Sequence, residues 1–173
     1  KVPWELSRFQ HLAVLGRAYR LTRNEKYTRE FVAQISHWTA ENPFGYGVNW
    51  HCTMDVAIRA CNWILAWFLF RESPAVTPEF QRRLVRSLHR HGRHIMNNLE
   101  FSPSLTSNHY LADIAGLLYI GETFAGTDRG RSWRSFARRE LACEMLKQVN
   151  ADGSDFEAST YYHRLALELF FFC

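Results

Sequence analysis

The sequence predicts an all-α protein, an incomplete (α/α) toroid built of antiparallel helical hairpins. Three observations lead there. Apolar residues recur at helical spacing through almost every long segment. Gly, Pro, Asn and Ser clusters, with no strand pattern between them, separate those segments. Like helices recur roughly every 50 residues without a strict repeat consensus, within the range of helical repeat architectures.

The first helix is predicted over Trp4–Leu21, where Leu6, Phe9, Leu12, Ala13, Gly16 and Tyr19 share a face. A second follows from Glu25 to Glu41 on Tyr27, Phe31, Ile35 and Trp38, and Asn42-Pro43 ends it because a residue before proline resists the α region. Phe44–Cys52, with Gly45, Gly47, Tyr46, Trp50 and His51, reads as an aromatic loop. Thr53–Phe70 is apolar on nearly all sides, which predicts a helix buried on most faces. Thr77-Pro78 is an N-cap followed by proline at the first helical position, opening a long basic helix to about Asn98. After Ser102–Asn108, His109–Phe124 reads as an apolar helix, and Ser132 is expected to cap another that runs to Val149. Asn150–Asp155 is a turn, and a last helix begins near Ser159. The count is three hairpins and the opening helix of a fourth. That last helix carries Phe170, Phe171 and Phe172 with nothing predicted to cover them. The expectation is therefore that residues 1–173 are one truncated toroid domain.

Composition narrows the function. Of 173 residues, 47% are hydrophobic and 15% aromatic, enough for a large core or for a wall that stacks on flat ligands. A formal charge of +4 with a pI near 9.0 suits an acidic partner. No run of 18 uncharged apolar residues is present, so no membrane span is expected. Cys52, Cys61, Cys143 and Cys173 form no C-x-x-C pair and match neither a zinc site nor a disulfide framework. The stretch Arg82–Asn98 has the charge of a nucleic-acid helix, and His89, His91 and His94 suggest a metal. Their spacing does not put three ligands on one helix face, so the reading is a solvated outer face over Leu84, Leu88, Ile95 and Leu99, with no nucleic acid and no metal.

Three segments carry candidate chemistry. In "TSNHYLADIAGLLYIG", Asn108 and His109 stand at a helix N-terminus, where free N–H groups favour anions; Ser107 or Asn108 is equally suited to be a plain N-cap. In "NADGSDFEASTYYHRLALELF", a turn delivers Glu157, Tyr161, Tyr162 and His163 to a helix start. In "YGVNWHCTMDVAIRACNWI", Asn49, Trp50 and His51 lie in the loop, and Arg59 lies within an apolar helix, where its charge needs a partner or a wet cavity; Asp55 is one turn away.

Together the three segments, in this order and spacing, resemble the helical domain of heparinase II/III-type polysaccharide lyases over nearly the whole chain. The resemblance implies β-elimination on a uronic-acid polysaccharide. It puts Asn108 in the place of the group that neutralises the uronate carboxylate, and Tyr162 in that of the catalytic base and acid, with Tyr161 as rival. A tyrosine hydroxyl titrates near about 10 in water, so a nearby positive charge is required, from Arg59, His51 or a histidine elsewhere. It also implies a substrate-binding wall from Tyr46, Asn49, Trp50, His51, Arg59, His109, Glu157, Tyr161 and His163. A C-terminal β-sandwich, which can hold a metal, is expected beyond this segment, and a periplasmic or extracellular location follows. No cofactor is expected within these residues. The competing expectations are a toroid glycoside hydrolase using two of Asp113, Asp155, Glu157 and Glu168, and a carbohydrate-binding piece without catalysis.

Overall fold

A computed structural model describes residues 2–173, with helices α1 (Val2–Ser7), α2 (Leu12–Thr22), α3 (Glu25–Glu41), α4 (Thr53–Phe70), α5 (Pro78–Asn97), α6 (Asn108–Thr123), α7 (Asp128–Gln148) and α8 (Thr160–Phe171), and a 3-10 turn at Val48–Trp50. Among the described residues there is no strand, only an isolated bridge between Val149 and Asp155. The hairpins α2–α3, α4–α5 and α6–α7 stack so that α4 lies between α2 and α6, and α8 packs on α6. This makes an inner row of α2, α4, α6 and α8, with α3, α5 and α7 outside.

Capping side chains fix most starts. Asn24, Thr77, Ser107, Thr127 and Ser159 each accept a backbone N–H from the first turn of the helix that follows. The penultimate helix therefore opens at Thr127, not Ser132, because Gly130 N–H bonds the Thr127 hydroxyl at 3.0 Å. The last helix does not run to the end of the chain; it finishes at Phe171.

The predicted single helix over Trp4–Leu21 is broken. Phe9 takes a left-handed backbone (φ 58°), a strained conformation for a bulky residue. Burial of its ring edge-on against Trp38 and Trp63 offsets that cost. The bend folds α1 onto the 42–52 loop, where Trp4 donates to the Val48 carbonyl and Arg8 pairs with Asp55. A continuous helix would carry both groups away.

The core lies between the inner and outer rows. Trp63, Phe31, Phe70, Phe80, Leu84, Leu88, Ile114 and Leu117 are fully buried. Helices α4 and α6 approach very closely, since a Cβ on Gly116 would sit 2.7 Å from the Ala57 Cβ. Helix α4 has the length and apolar composition of a bilayer-crossing segment, but it carries Asp55 and Arg59 and is enclosed by α2, α5 and α6 as the central core helix. A smaller cluster joins Met54 and Ile58 of α4 to Ala112 of α6 and Leu165 and Leu169 of α8, which sets these three helices parallel. Their N-termini share one end. Connections at that end are long (42–52, 98–107 and 149–159); at the other they are short (23–24, 71–77 and 124–127).

Candidate functional site

The chemistry-bearing residues of all three sequence segments collect at the end with the long loops. Asn108 opens α6 and is 6% exposed. Its Nδ2 donates to Glu157 Oε1 at 2.7 Å, and its backbone N–H reaches the same oxygen at 3.2 Å. The Oδ1 atom is buried and has no hydrogen-bond partner among the described residues. The Glu157 carboxylate thus already occupies the anion position at the α6 N-terminus. An incoming anion is left the second N–H of the amide. Glu157 is held in turn by a short bridged loop, in which its N–H donates to Asp155 Oδ2 and the Asp155 N–H donates to His163 Nδ1. His163 therefore braces the loop through a ring nitrogen that must be unprotonated to accept.

The same loop delivers the tyrosine pair. Tyr162 is 39% exposed and Tyr161 65%, with ring centroids 5.7 Å apart. On a helix, Tyr162 shares its face with Leu165, Ala166 and Leu169, the residues turned toward α4 and α6, whereas Tyr161 lines up with the surface pair Arg164–Glu168. Tyr162 is therefore the tyrosine on the side of α8 turned toward the inner helices α4 and α6.

His109 is half-exposed beside Asn108 and pairs through Nδ1 with Glu100 Oε1 at 3.2 Å. That contact raises the His109 pKa. Burial pushes the Glu100 carboxyl up, but the His109 ring and the Met54 N–H outweigh it and hold it below the usual value. Sequence reasoning missed Glu100, which lies in no recognisable motif. It is the joint between the first turns of α4 and α6. Its own backbone N–H donates to Asp113 Oδ2 at 2.8 Å.

Asp113 is fully buried in α6, and burial pushes its carboxyl up to about 8, so it is protonated at neutral pH. A carboxyl whose pKa rises on folding stabilises the fold below its unfolded value, near about 4. That contribution is lost as pH climbs through the folded value. Relative to wild type, Asp113→Asn should therefore gain stability steadily between about pH 4 and 8, by roughly 1 kcal/mol per pH unit. Denaturation curves across that range measure it, and a constant difference between the two proteins would refute it.

Cys52 joins His109 and Glu100, with donor atoms all within 4.8 Å of one another, the one such grouping among the described residues. Burial lifts the thiol to about 12, and Glu100 Oε2 is engaged by Met54. A metal there would have to displace the thiol proton. No short spacing signalled the grouping, because its members lie on three separate segments.

The 42–52 loop departs from expectation. Gly45 and Gly47 both have left-handed backbones (φ 80° and 83°), and Tyr46 between them is 76% exposed, as a stacking residue should be. His51 is exposed and stacks on Trp4. Trp50 and Arg59, however, lie in the interior and cannot form part of a sugar-facing wall. Trp50 is 5% exposed and Arg59 0%. The Arg59 guanidinium sits 4.2 Å over the Trp38 ring and 5.3 Å from that of Trp50, and donates to the Asn49 carbonyl and to His91 Nε2. Asn49 faces inward too, bonded to Ser7 and Asn42. Nor does Arg59 pair with Asp55, whose ion pair is with Arg8 at 2.5 Å.

The solvated histidine face is likewise corrected. His91 is fully buried and His94 half-buried against Trp50 and Phe44. Since Arg59 can only donate, His91 Nε2 must be the acceptor, and its proton sits on Nδ1, bonded to the Ser87 carbonyl at 2.8 Å. Burial, then Arg59, drives the His91 pKa well down and keeps it neutral. Each carboxylate open to a hydrolase is buried or already engaged. Asp113 and Asp155 are buried, Glu157 is bound to Asn108, and Glu168 pairs with Arg164 on the surface.

Comparison with known proteins bears on the fold and the family. The family described as Heparinase II/III N-terminus matches residues 1–172. A heparin-sulfate lyase from Pedobacter heparinus is 31% identical over 98% of the chain, and one from Bacteroides stercoris 28% over 96%. The chain spans only 26% and 28% of those relatives. The crystal structure of a heparan sulfate lyase from Pedobacter heparinus superposes with a TM-score of 0.76 at 31% identity, covering 97% of this chain and 26% of that one. The (α/α) toroid fold is thereby shown.

Proposed function

The chain belongs to the heparinase II/III family, and from that premise we propose that it forms the helical half of a polysaccharide lyase acting on a uronate-containing glycosaminoglycan. The observation that carries the proposal is Asn108. It is an amide buried at a helix N-terminus, fixed by Glu157, with one N–H and one oxygen uncommitted, at the end of the fold where Tyr162 stands on the side of α8 turned toward α4 and α6.

In β-elimination the C5 proton leaves, a C4–C5 double bond forms and the C4–O4 bond breaks, with the O4 oxygen taking a proton. The C5 proton becomes acidic enough only if the adjacent carboxylate is relieved of its charge in the transition state. The free Asn108 N–H donates to that carboxylate. Because Glu157 holds the other N–H, the amide cannot flip to present its oxygen instead. Tyr162 takes the C5 proton and returns one to O4. His109, Tyr46 and His51 are exposed groups that line the substrate path, and a polysaccharide substrate places the reaction outside the cytoplasm, in the periplasm or beyond the cell. Trp50, Arg59 and Asn49 act beneath that path by holding the loop.

The test is direct. Full-length protein incubated with heparan sulfate should release chains ending in an unsaturated uronate, seen by its ultraviolet absorbance, and Asn108→Ala should lower kcat by about 10²- to 10³-fold. New reducing ends from the wild type with no unsaturated uronate at the new non-reducing ends would mean hydrolysis and sink the proposal.

A further inference from the structure

The net charge of +4 is unevenly spread. Eleven of the 21 Lys and Arg residues but only four of the 17 Asp and Glu residues lie on α5 and α7, so these two outer helices carry +7 and the rest of the chain −3. On α5, Arg82, Arg86, Arg90 and Arg93 fall within roughly an 80° sector at 100° per residue. All four are exposed. Among the described residues none has a carboxylate within ion-pair distance, whereas Arg83, at the sector's edge, is paired with Glu79. Arg129 of α7 extends the patch, since it and Arg93 both lower the pKa of His89, after burial. The row spans about 16 Å at 1.5 Å per residue. Its C-terminal end approaches the long-loop end of the fold, where Arg90 lies 5.9 Å from the Phe44 ring centroid.

We propose that this arginine face of α5, with Arg129 beside it, is a second binding surface for a sulfated polysaccharide, guiding a long chain toward the long-loop end of the fold; the assignment of the polymer rests on the glycosaminoglycan reading above. Guanidinium forks match tetrahedral oxyanions with paired N–H donors, and 18 of the 21 cationic side chains are arginine. Five unneutralised guanidinium groups in one patch repel one another unless an anion lies across them. Duplex DNA fits less well. Reading it takes a helix that enters the major groove, and α5 is seated against α3, α4 and α6.

The test uses the full-length protein carrying Arg86→Gln, Arg90→Gln and Arg93→Gln together. A control carries Arg17→Gln, Arg29→Gln and Arg71→Gln, the same charge change on exposed arginines elsewhere. In heparin binding titrated against salt, the α5 variant should lose about three from the log–log slope, roughly one per contact. The control should keep the wild-type slope. On long heparan sulfate chains KM should rise about tenfold with kcat unchanged, and turnover of the shortest cleavable oligosaccharide should not move. Equal losses in the control, an unchanged slope, or duplex DNA displacing heparin at equal salt would overturn the surface. Heparin binding that depends on α5 without any unsaturated product would leave the surface standing and sink the lyase reading instead.

Discussion

Tyr162→Phe in the full-length protein should reduce turnover by roughly 10²- to 10⁴-fold, the range for removal of a group that moves a proton in the transition state. The melting temperature should stay at the wild-type value. Among the described residues no hydrogen bond involves the Tyr162 hydroxyl, and the ring that helps cover α8 remains. Tyr161→Phe is the matched control and should cost no more than a few-fold, because Tyr161 shares its face with the surface pair Arg164–Glu168. The two variants separate the roles cleanly. Collapse of the Tyr161 variant with survival of the Tyr162 variant would exchange their assignments.

The largest effect on stability should come from Arg59→Ala, at about 3–5 kcal/mol. The substitution opens a cavity between Trp38 and Trp50 and leaves the His91 Nε2 and the Asn49 carbonyl without their donor. Arg59→Met should cost less, because it fills more of the space and also removes the desolvation of a buried cation. Arg59→Lys should not restore wild-type stability, since an ammonium cannot reach both acceptors from one rigid plane. Urea denaturation ranks the three. An alanine variant within 1 kcal/mol of wild type would show that the cation is dispensable to the core.

Much of this fold could be read directly from the residues. Thr77-Pro78, Ser159 and Asn42-Pro43 are local signals whose geometry depends on a few neighbouring atoms, and each boundary falls where those atoms require. The Phe9 break was not legible, because its cause is distant: the aromatic rings of Trp38 and Trp63 and the loop that receives Trp4. The site divides the same way. Asn108, Glu157 and Tyr162 stand at helix starts and could be picked out as such. That Glu157 holds Asn108 is a contact across 49 positions, which no spacing encodes. Trp50 of the loop and Arg59 of the helix after it both turn inward, against expectation, for one reason. An aromatic residue beside glycines, like a cation within an apolar helix, is equally suited to face a ligand or to plug the core, and the choice rests on His91, a histidine whose neutrality only burial beneath Arg59 could reveal.

The unequal connections have a further meaning for how such a protein can change. Where turns are two to seven residues long, an insertion would strain the packing of a hairpin directly. The loops of ten or eleven residues can lengthen or change sequence without disturbing the contact between Gly116 and Ala57 that locks the inner helices. Selection can therefore retune the long-loop end while the other keeps the scaffold constant. A designer who wished to redirect this scaffold would exchange residues 42–52 and 98–107 as cassettes and leave the tight turns untouched.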